Sequence, residues 1–358
     1  MEVIMEKRKA LFITSTFIIF LIMVVGILSN ASLCEAQEGK AYVSTQDGSK
    51  LLVFNLADHQ LIKSIEIYTP TPLEQVLPPN ANDVIAVGNY IFMTVPGAEI
   101  SKTGKNELKV IDSKSNMVVN TIKADMTPSG LLEYNGLIYM VNRYGGTIQE
   151  IDPRNLKIVR TIPFKPSGQT PLNNPLTMAI DNDKIYLPFP GGLARPGIIQ
   201  VLDLKTGTPI KTIEFNTISP YGPLAIKKVG ENKIYLGGIR SVGVLDTQSD
   251  RITRSIILSG REIYVQSFVL YEGKVYAANG VSTVSVIDPQ ADTLLTEIDT
   301  GYHDYACHLR AGIAAAANKI FVADAGRGIK IIDVKSNRLV MNIASDEPLG
   351  PVAIIGSK

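Results

Sequence analysis

Between residues 40 and 358 one short pattern recurs seven times. An aromatic sits in an apolar run, a polar turn follows, and a second apolar run ends in an acid or amide. After another turn, a third run closes on a pair such as Thr161-Ile162 or Thr212-Ile213. The aromatics are Tyr42, Phe92, Tyr139, Tyr186, Tyr235, Tyr276 and Phe321, and the acids or amides are Asn55, Asp112, Asp152, Asp203, Asp246, Asp288 and Asp333. Successive copies lie about 41–50 residues apart, the period at which four-strand propeller blades repeat. Runs of four to six residues rich in Val, Ile and Tyr, bounded by Gly, Asn and Asp, read as strands. Beyond residue 36 no segment carries a 3.6-residue apolar stripe long enough for a helix. The predicted fold is all-β.

A further strand precedes most of the aromatics, at residues 83–87, 130–133, 176–180, 223–226, 266–270 and 311–315. The copy that begins at Lys40 has too little chain before it to supply one, and the matching segment appears at the other end, at 351–355. The expectation is a seven-bladed β-propeller of four-stranded antiparallel blades, closed by the C-terminal strand joining the first blade. Closure pairs strand edges that would otherwise template aggregation.

The 358 residues carry a formal net charge of +1 and are 45% hydrophobic. That near-neutrality argues against broad nucleic-acid binding, which needs an extended basic surface. The N-terminus stands apart. Lys7-Arg8-Lys9 precede an apolar run from Leu11 to Leu28 and then SNASLCEAQ, with a cleavage site expected after Ala36. Residues 1–36 thus read as a signal peptide or an uncleaved membrane anchor, and residues 37–358 as the propeller. A lipidated Cys34 is a third version, set against the Leu33 that stands where a small residue is expected. All three versions export the propeller to the periplasm, the cell surface or the medium, with membrane contact only through the N-terminal segment. Removal of Cys34 would leave Cys307 alone, so stability falls to the sheet core.

In a four-strand blade the turns joining strands one to two and three to four lie on one face of the disc. Here they are short and carry Asn, Asp and Gly, as turn geometry requires. His59 falls in one of them and is expected on the surface. The other face receives long loops at 68–82, 95–107, 164–175, 188–197 and 301–309, and binding residues concentrate on loops displayed by a rigid scaffold. That face carries Arg143, Arg195, Arg240 and Arg327, with Arg261 and Arg310 nearby and Lys102 and Lys105 in the second blade. Arginine forks onto carboxylate or phosphate, so these residues are candidates for a cationic rim around an anionic ligand. The competing account pairs them with Asp47, Asp83, Glu262, Asp304 and Asp324. The loop GYHDYACHL places His303, Asp304, Cys307 and His308 within six residues, a candidate metal or general-base set or simply a packed loop. No CxxCH, GxSxG, GxxxxGK or HExxH motif occurs and Trp is absent, so no cofactor is expected. The repeated Asp reads as an Asx-turn former rather than a calcium ligand.

The segments LIYMVNRYGGTIQEIDPRNLKIVRTI, KVYAANGVSTVSVIDPQADTLLTEI and KIFVADAGRGIKIIDVKSNRLVMNI resemble the YVTN family of β-propeller repeats. The resemblance runs over residues 39–358 and implies a propeller whose motif residues are structural. Its interblade loops are longer than the family's compact Gly-x-x-Pro link. Such propellers are similar to exported or cell-surface binding modules, while lactone-cleaving enzymes and streptogramin lyases share the architecture. The leading expectation is a non-enzymatic binding or scaffold propeller for an anionic small molecule or a protein partner, which includes an accessory role in an exported redox complex. The alternative is a hydrolase or lyase using His303 and His308.

Overall fold

A computed structural model describes residues 39–69, 83–97, 105–165, 174–191, 196–216, 222–259, 264–280, 283–301, 311–324 and 328–356. These contain 28 strands in seven four-stranded antiparallel sheets and no helix. The expected signal or anchor segment, residues 1–36, lies outside the described residues. Six blades follow chain order. The first does not: its order is Leu349–Ile355, Lys40–Thr45, Lys50–Asn55 and Leu61–Glu66. The C-terminal strand pairs with the first, Lys40 opposite Ile355 and Tyr42 opposite Ala353. The ring closes as the missing strand of the first repeat required. The other innermost strands, for blades 2 to 7, are Val84–Val87, Pro128–Tyr134, Ala179–Asp181, Ala225–Gly230, Val265–Tyr271 and Gly312–Ala316.

The second and third strands of each blade are near-continuous apolar runs because both their faces are covered. Tyr42 packs with Ile91 and Met93 of blade 2, while its neighbours Ala41 and Val43 pack with Phe321 and Ile329 of blade 7. Every blade-to-blade interface has its own cluster of buried side chains. The fourth strands are different. They form the outer rim and leave Leu61, Val119, Val159 and Val340 about half exposed. Near the axis the blades converge until backbones touch. A Cβ on Gly312 would stand 2.6 Å from the carbonyl oxygen of Gly350 in the closing strand, so only glycine fits there.

The repeated acid at the end of the third strand makes the turn it was expected to make. In all seven blades its side chain accepts a backbone N–H two or three residues on, at 2.6–2.9 Å: Ala57 onto Asn55, Ser115 onto Asp112, Arg154 onto Asp152, Thr206 onto Asp203, Ser249 onto Asp246, Gln290 onto Asp288 and Ser336 onto Asp333. Four residues after the acid the chain enters the left-handed region, at His59, Asn116, Leu156, Gly207, Asp250, Asp292 and Asn337.

This left-handed residue is also where one blade grips the next. The hydroxyl of Tyr42 in blade 1 donates to Asn116 of blade 2 at 2.7 Å, Tyr186 to Asp250 at 2.7 Å, and Tyr235 to Asp292 at 2.6 Å. The lysine two residues before each tyrosine joins the same turn: Lys40 to the Ser113 carbonyl, Lys184 to Asp250, and Lys233 to Asp292. Where the aromatic is Phe the partner is apolar or aromatic. Phe92 shares a cluster with Leu156, and Phe321 meets the His59 ring edge-on at 6.4 Å between centroids. His59 is therefore not a bystander of the surface. It is half-buried and forms the seam between the last blade and the first. Between blades 3 and 4 the turn residue is Gly207, and Arg160 reaches across to the Leu204 carbonyl at 2.6 Å instead. Between blades 6 and 7 the Tyr276 hydroxyl and the Asn337 amide oxygen are both buried without a partner among the described residues.

That difference between equivalent seams is testable by thermal or chemical denaturation. Tyr235→Phe removes a bond to a largely buried carboxylate and is expected to cost about 1–3 kcal/mol. Tyr276→Phe removes a hydroxyl that makes no bond and is expected to leave the melting temperature unchanged or higher. The turn acids give a pH dependence. N–H and hydroxyl donors, joined at Asp333 and Asp152 by Lys319 and Arg154, hold Asp112, Asp152, Asp203, Asp246 and Asp333 below the ordinary carboxylate range. Their contribution is complete above the unfolded Asp value of about 3.9 and is lost as pH falls through the lower folded values. A melting temperature that is flat near neutrality and declines below about pH 4 is expected from a titration followed by calorimetry.

Candidate functional site

Seven innermost strands set edge-on around an axis leave a central channel. Each uses one edge to pair with its own blade and turns the other toward the lumen, where unpaired backbone groups need partners. Side chains supply two of them. Asp83 Oδ2 accepts the Leu131 N–H of the next blade at 2.9 Å, and Gln266 Oε1 accepts the Ala311 N–H of the next blade at 2.6 Å. Asp83 is further fixed by the Val84 N–H onto Oδ1 at 2.9 Å. The remaining space is a cavity of about 380 Å³ lined by all seven blades, at the small end of the usual range for ligand pockets.

That lining is mixed: Met178, Ile226, Phe268, Ile313 and Val352 supply apolar surface, and Asp83, Glu133 and Gln266 are among its polar members. Its lysines come from blade 5, whose innermost strand AIKKVG places Lys227 and Lys228 in the wall. Alternation sends the two side chains to opposite sides of the strand. Lys228 ion-pairs with Asp181 of blade 4. Lys227 has no hydrogen bond or ion pair among the described residues. Burial by the channel walls lowers its pKa below the ordinary lysine value, and the Asp83 carboxylate partly offsets this. Thr177 of blade 4 and Ser267 of blade 6 also line the cavity. The channel thus gathers charges of both signs, Lys227 and Lys228 with Asp83 and Glu133.

The residues singled out from the sequence are distributed otherwise. Arg143 lies in the turn between the second and third strands of blade 3, but its side chain is only 6% exposed, and its guanidinium stands over the Tyr144 ring at 5.6 Å. It is packed into the loop rather than displayed. Arg240 is exposed and sits in the left-handed region, its carbonyl accepting the Leu258 N–H. Lys105 is exposed and stands 5.1 Å over the Tyr68 ring. Asp47 accepts from Thr45 and Ser49 within its own turn. Arg195, Arg327, Arg310, Arg261 and Lys102 lie outside the described residues, as do His303, His308 and Cys307 of the candidate catalytic loop. Among the described residues no group of three or more His, Cys, Asp or Glu is placed to hold a metal ion. Lys227 was not among the candidates. Its signal was present: a Lys-Lys pair inside a strand whose counterparts in the other blades hold no lysine.

No protein-family model matches the chain, and no curated protein matches it by sequence. The YVTN resemblance therefore stands on the repeat alone. Solved structures do match it in fold. AztD from Citrobacter koseri is 14% identical, with 89% of this chain and 98% of that chain covered at a TM-score of 0.64. A computationally designed protein is 13% identical over 88% of this chain and 90% of its own, at 0.56. The dihydro-heme d1 dehydrogenase NirN, solved in complex with DHE, is 12% identical over 88% of this chain and 75% of its own, at 0.55. At these identities the likeness shows the fold alone, and that fold is a β-propeller.

Proposed function

We propose that the protein is an exported, non-enzymatic binding propeller whose ligand or partner docks on the long-loop face at the mouth of the central channel. The observation that carries this reading is the Lys227 ammonium in the channel cavity, which has no hydrogen bond or ion pair among the described residues and is only partly offset by the Asp83 carboxylate. A charge withdrawn from water without a partner lowers stability, and a ligand of opposite charge returns what the fold gives up. The exposed Arg240 and Lys105 on the same face add a positive approach for an anion. Export rests on the basic and apolar character of residues 7–28. Arg195, Arg310 and Arg327 extend the same rim in this reading.

A thermal-shift screen of the full chain against anionic small molecules and divalent metals tests it, since a ligand that binds only the folded state raises the melting temperature by mass action. An anion-dependent rise that shrinks in Arg240→Glu is the expected result. A rise with a divalent metal that disappears in His303→Ala or His308→Ala would replace this reading with the hydrolase or lyase one.

A further inference from the structure

We propose that blade 7 is a side gate in the ring: it undocks from blades 6 and 1 as a unit, ahead of global unfolding, and opens the central channel laterally. Three positions in each blade can tie it to the next by a polar bond. They are the aromatic of the second strand, the residue two before it, and the outer-strand residue that takes the place of Lys63. Seams 1–2, 4–5 and 5–6 use all three. Besides the tyrosine and lysine bonds above, Lys63 donates to the Asn116 carbonyl at 2.9 Å, Lys211 to the Asp250 carbonyl at 2.9 Å and Arg254 to the Ala291 carbonyl at 2.8 Å. Seam 3–4 keeps the outer tie through Arg160. Among the described residues seams 2–3, 6–7 and 7–1 use none, their outer positions being Asn120, Thr296 and Met341.

Blade 7 alone is bounded by two such seams. On its blade 6 side the Tyr276 hydroxyl has no partner among the described residues. What spans that seam besides apolar contact is the Gln266–Ala311 bond and one from the Asn318 N–H to the Tyr271 hydroxyl at 3.1 Å. On its blade 1 side Phe321 meets His59 without a polar bond, and Lys319, the counterpart of Lys40, turns back to Asp333 of its own blade at 2.6 Å. Packing at the rim follows the same division. In six blades the next-to-last residue of the outer strand is a buried isoleucine: Ile65, Ile122, Ile162, Ile213, Ile256 and Ile298. In blade 7 the matching Ile343 is only partly buried, and this outer strand alone buries none of its residues. Ile343 instead lines a groove of about 510 Å³ between blades 7 and 1, together with Leu52, Phe54 and Leu61. Opening free energies within a fold follow local burial and bonding, so the blade poorest in both at its seams opens first. Its innermost strand supplies Gly312 and Ile313 to the channel wall, and the same motion gives a ligand a lateral route into the cavity.

Native-state hydrogen exchange of the full chain, followed by mass spectrometry in low denaturant, tests this. The amides compared are those of the second and third strands of blade 7, Lys319–Asp324 and Gly328–Asp333, and of blade 5, Lys233–Gly237 and Ser241–Asp246. After correction for intrinsic rates, the blade 7 set is expected to exchange together and at least about tenfold faster, the factor carried by one charged hydrogen bond. Met341→Arg installs an outer cation at an exposed position. It is expected to slow exchange in blade 7 several-fold, the scale of a surface charge contact, and to leave blade 5 unchanged. Equal protection in all seven blades overturns the proposal, as does earlier opening of another blade. Faster exchange confined to the outer strand Arg338–Ala344 also overturns it, because that is fraying rather than undocking. So does fast blade 7 exchange that Met341→Arg leaves unmoved, since the missing ties would then not be its cause.

Discussion

The structure depends on the seam between neighbouring blades. A four-stranded sheet buried on both faces is not stable alone, and each blade here needs a neighbour on either side to cover its second and third strands. Tyr42, facing blade 2, and Val43, facing blade 7, show how one strand serves two interfaces through simple alternation. Five of the seven seams are then locked at the edge by an aromatic set against the left-handed turn residue of the next blade. Tyrosine meets Asn116, Asp250 and Asp292, whereas phenylalanine meets Leu156 and His59. At these five seams the matched chemistry satisfies a buried hydroxyl where one exists and avoids a stranded polar group where none does; the blade 6–7 seam, with Tyr276, departs from it. Because the seam is directional, seven of them are complete only in a ring, and the C-terminal strand supplies the last.

A closed ring of this kind separates support from function. The seam residues and turn acids are committed to the fold, and mutating them changes stability before it changes binding. The axis is left as a cavity whose walls are the innermost strands, and variation there is inexpensive to the seams. Blade 5 shows this. Its outer three strands keep the common pattern, with Tyr235 and Lys233 gripping Asp292, while its innermost strand carries two lysines. One of these ties blade 5 to blade 4, and the other is held in the lumen. That second lysine has no hydrogen bond or ion pair among the described residues, and the Asp83 carboxylate offsets only part of the cost of its burial.

Much of the architecture was legible in the order of residues. The aromatic and the acid recur in phase, so the repeat count, the strand assignments and the missing strand of the first copy could be read directly. Turn chemistry was legible for the same reason: an Asp that bonds two or three residues ahead acts locally. Side-chain direction was harder. Arg143 belongs to a loop on the expected face, yet it is packed against Tyr144, because loop membership does not fix which way a long side chain turns. His59 looked like a surface residue because its contact, Phe321, lies at the far end of the chain.

The sequence by itself determined the fold class, the seven copies, the closing strand and the turn at each repeated acid, since these rest on local periodicity and contacts a few residues apart. Only the tertiary structure decided which residues meet. Tyr235 and Asp292 are separated by more than a blade of chain, and Lys227 comes to share a cavity with Asp83 only when the other blades surround it. Burial and charge pairing are properties of the assembled ring. A one-dimensional pattern records which blade carries the lysine, and closure alone makes its environment.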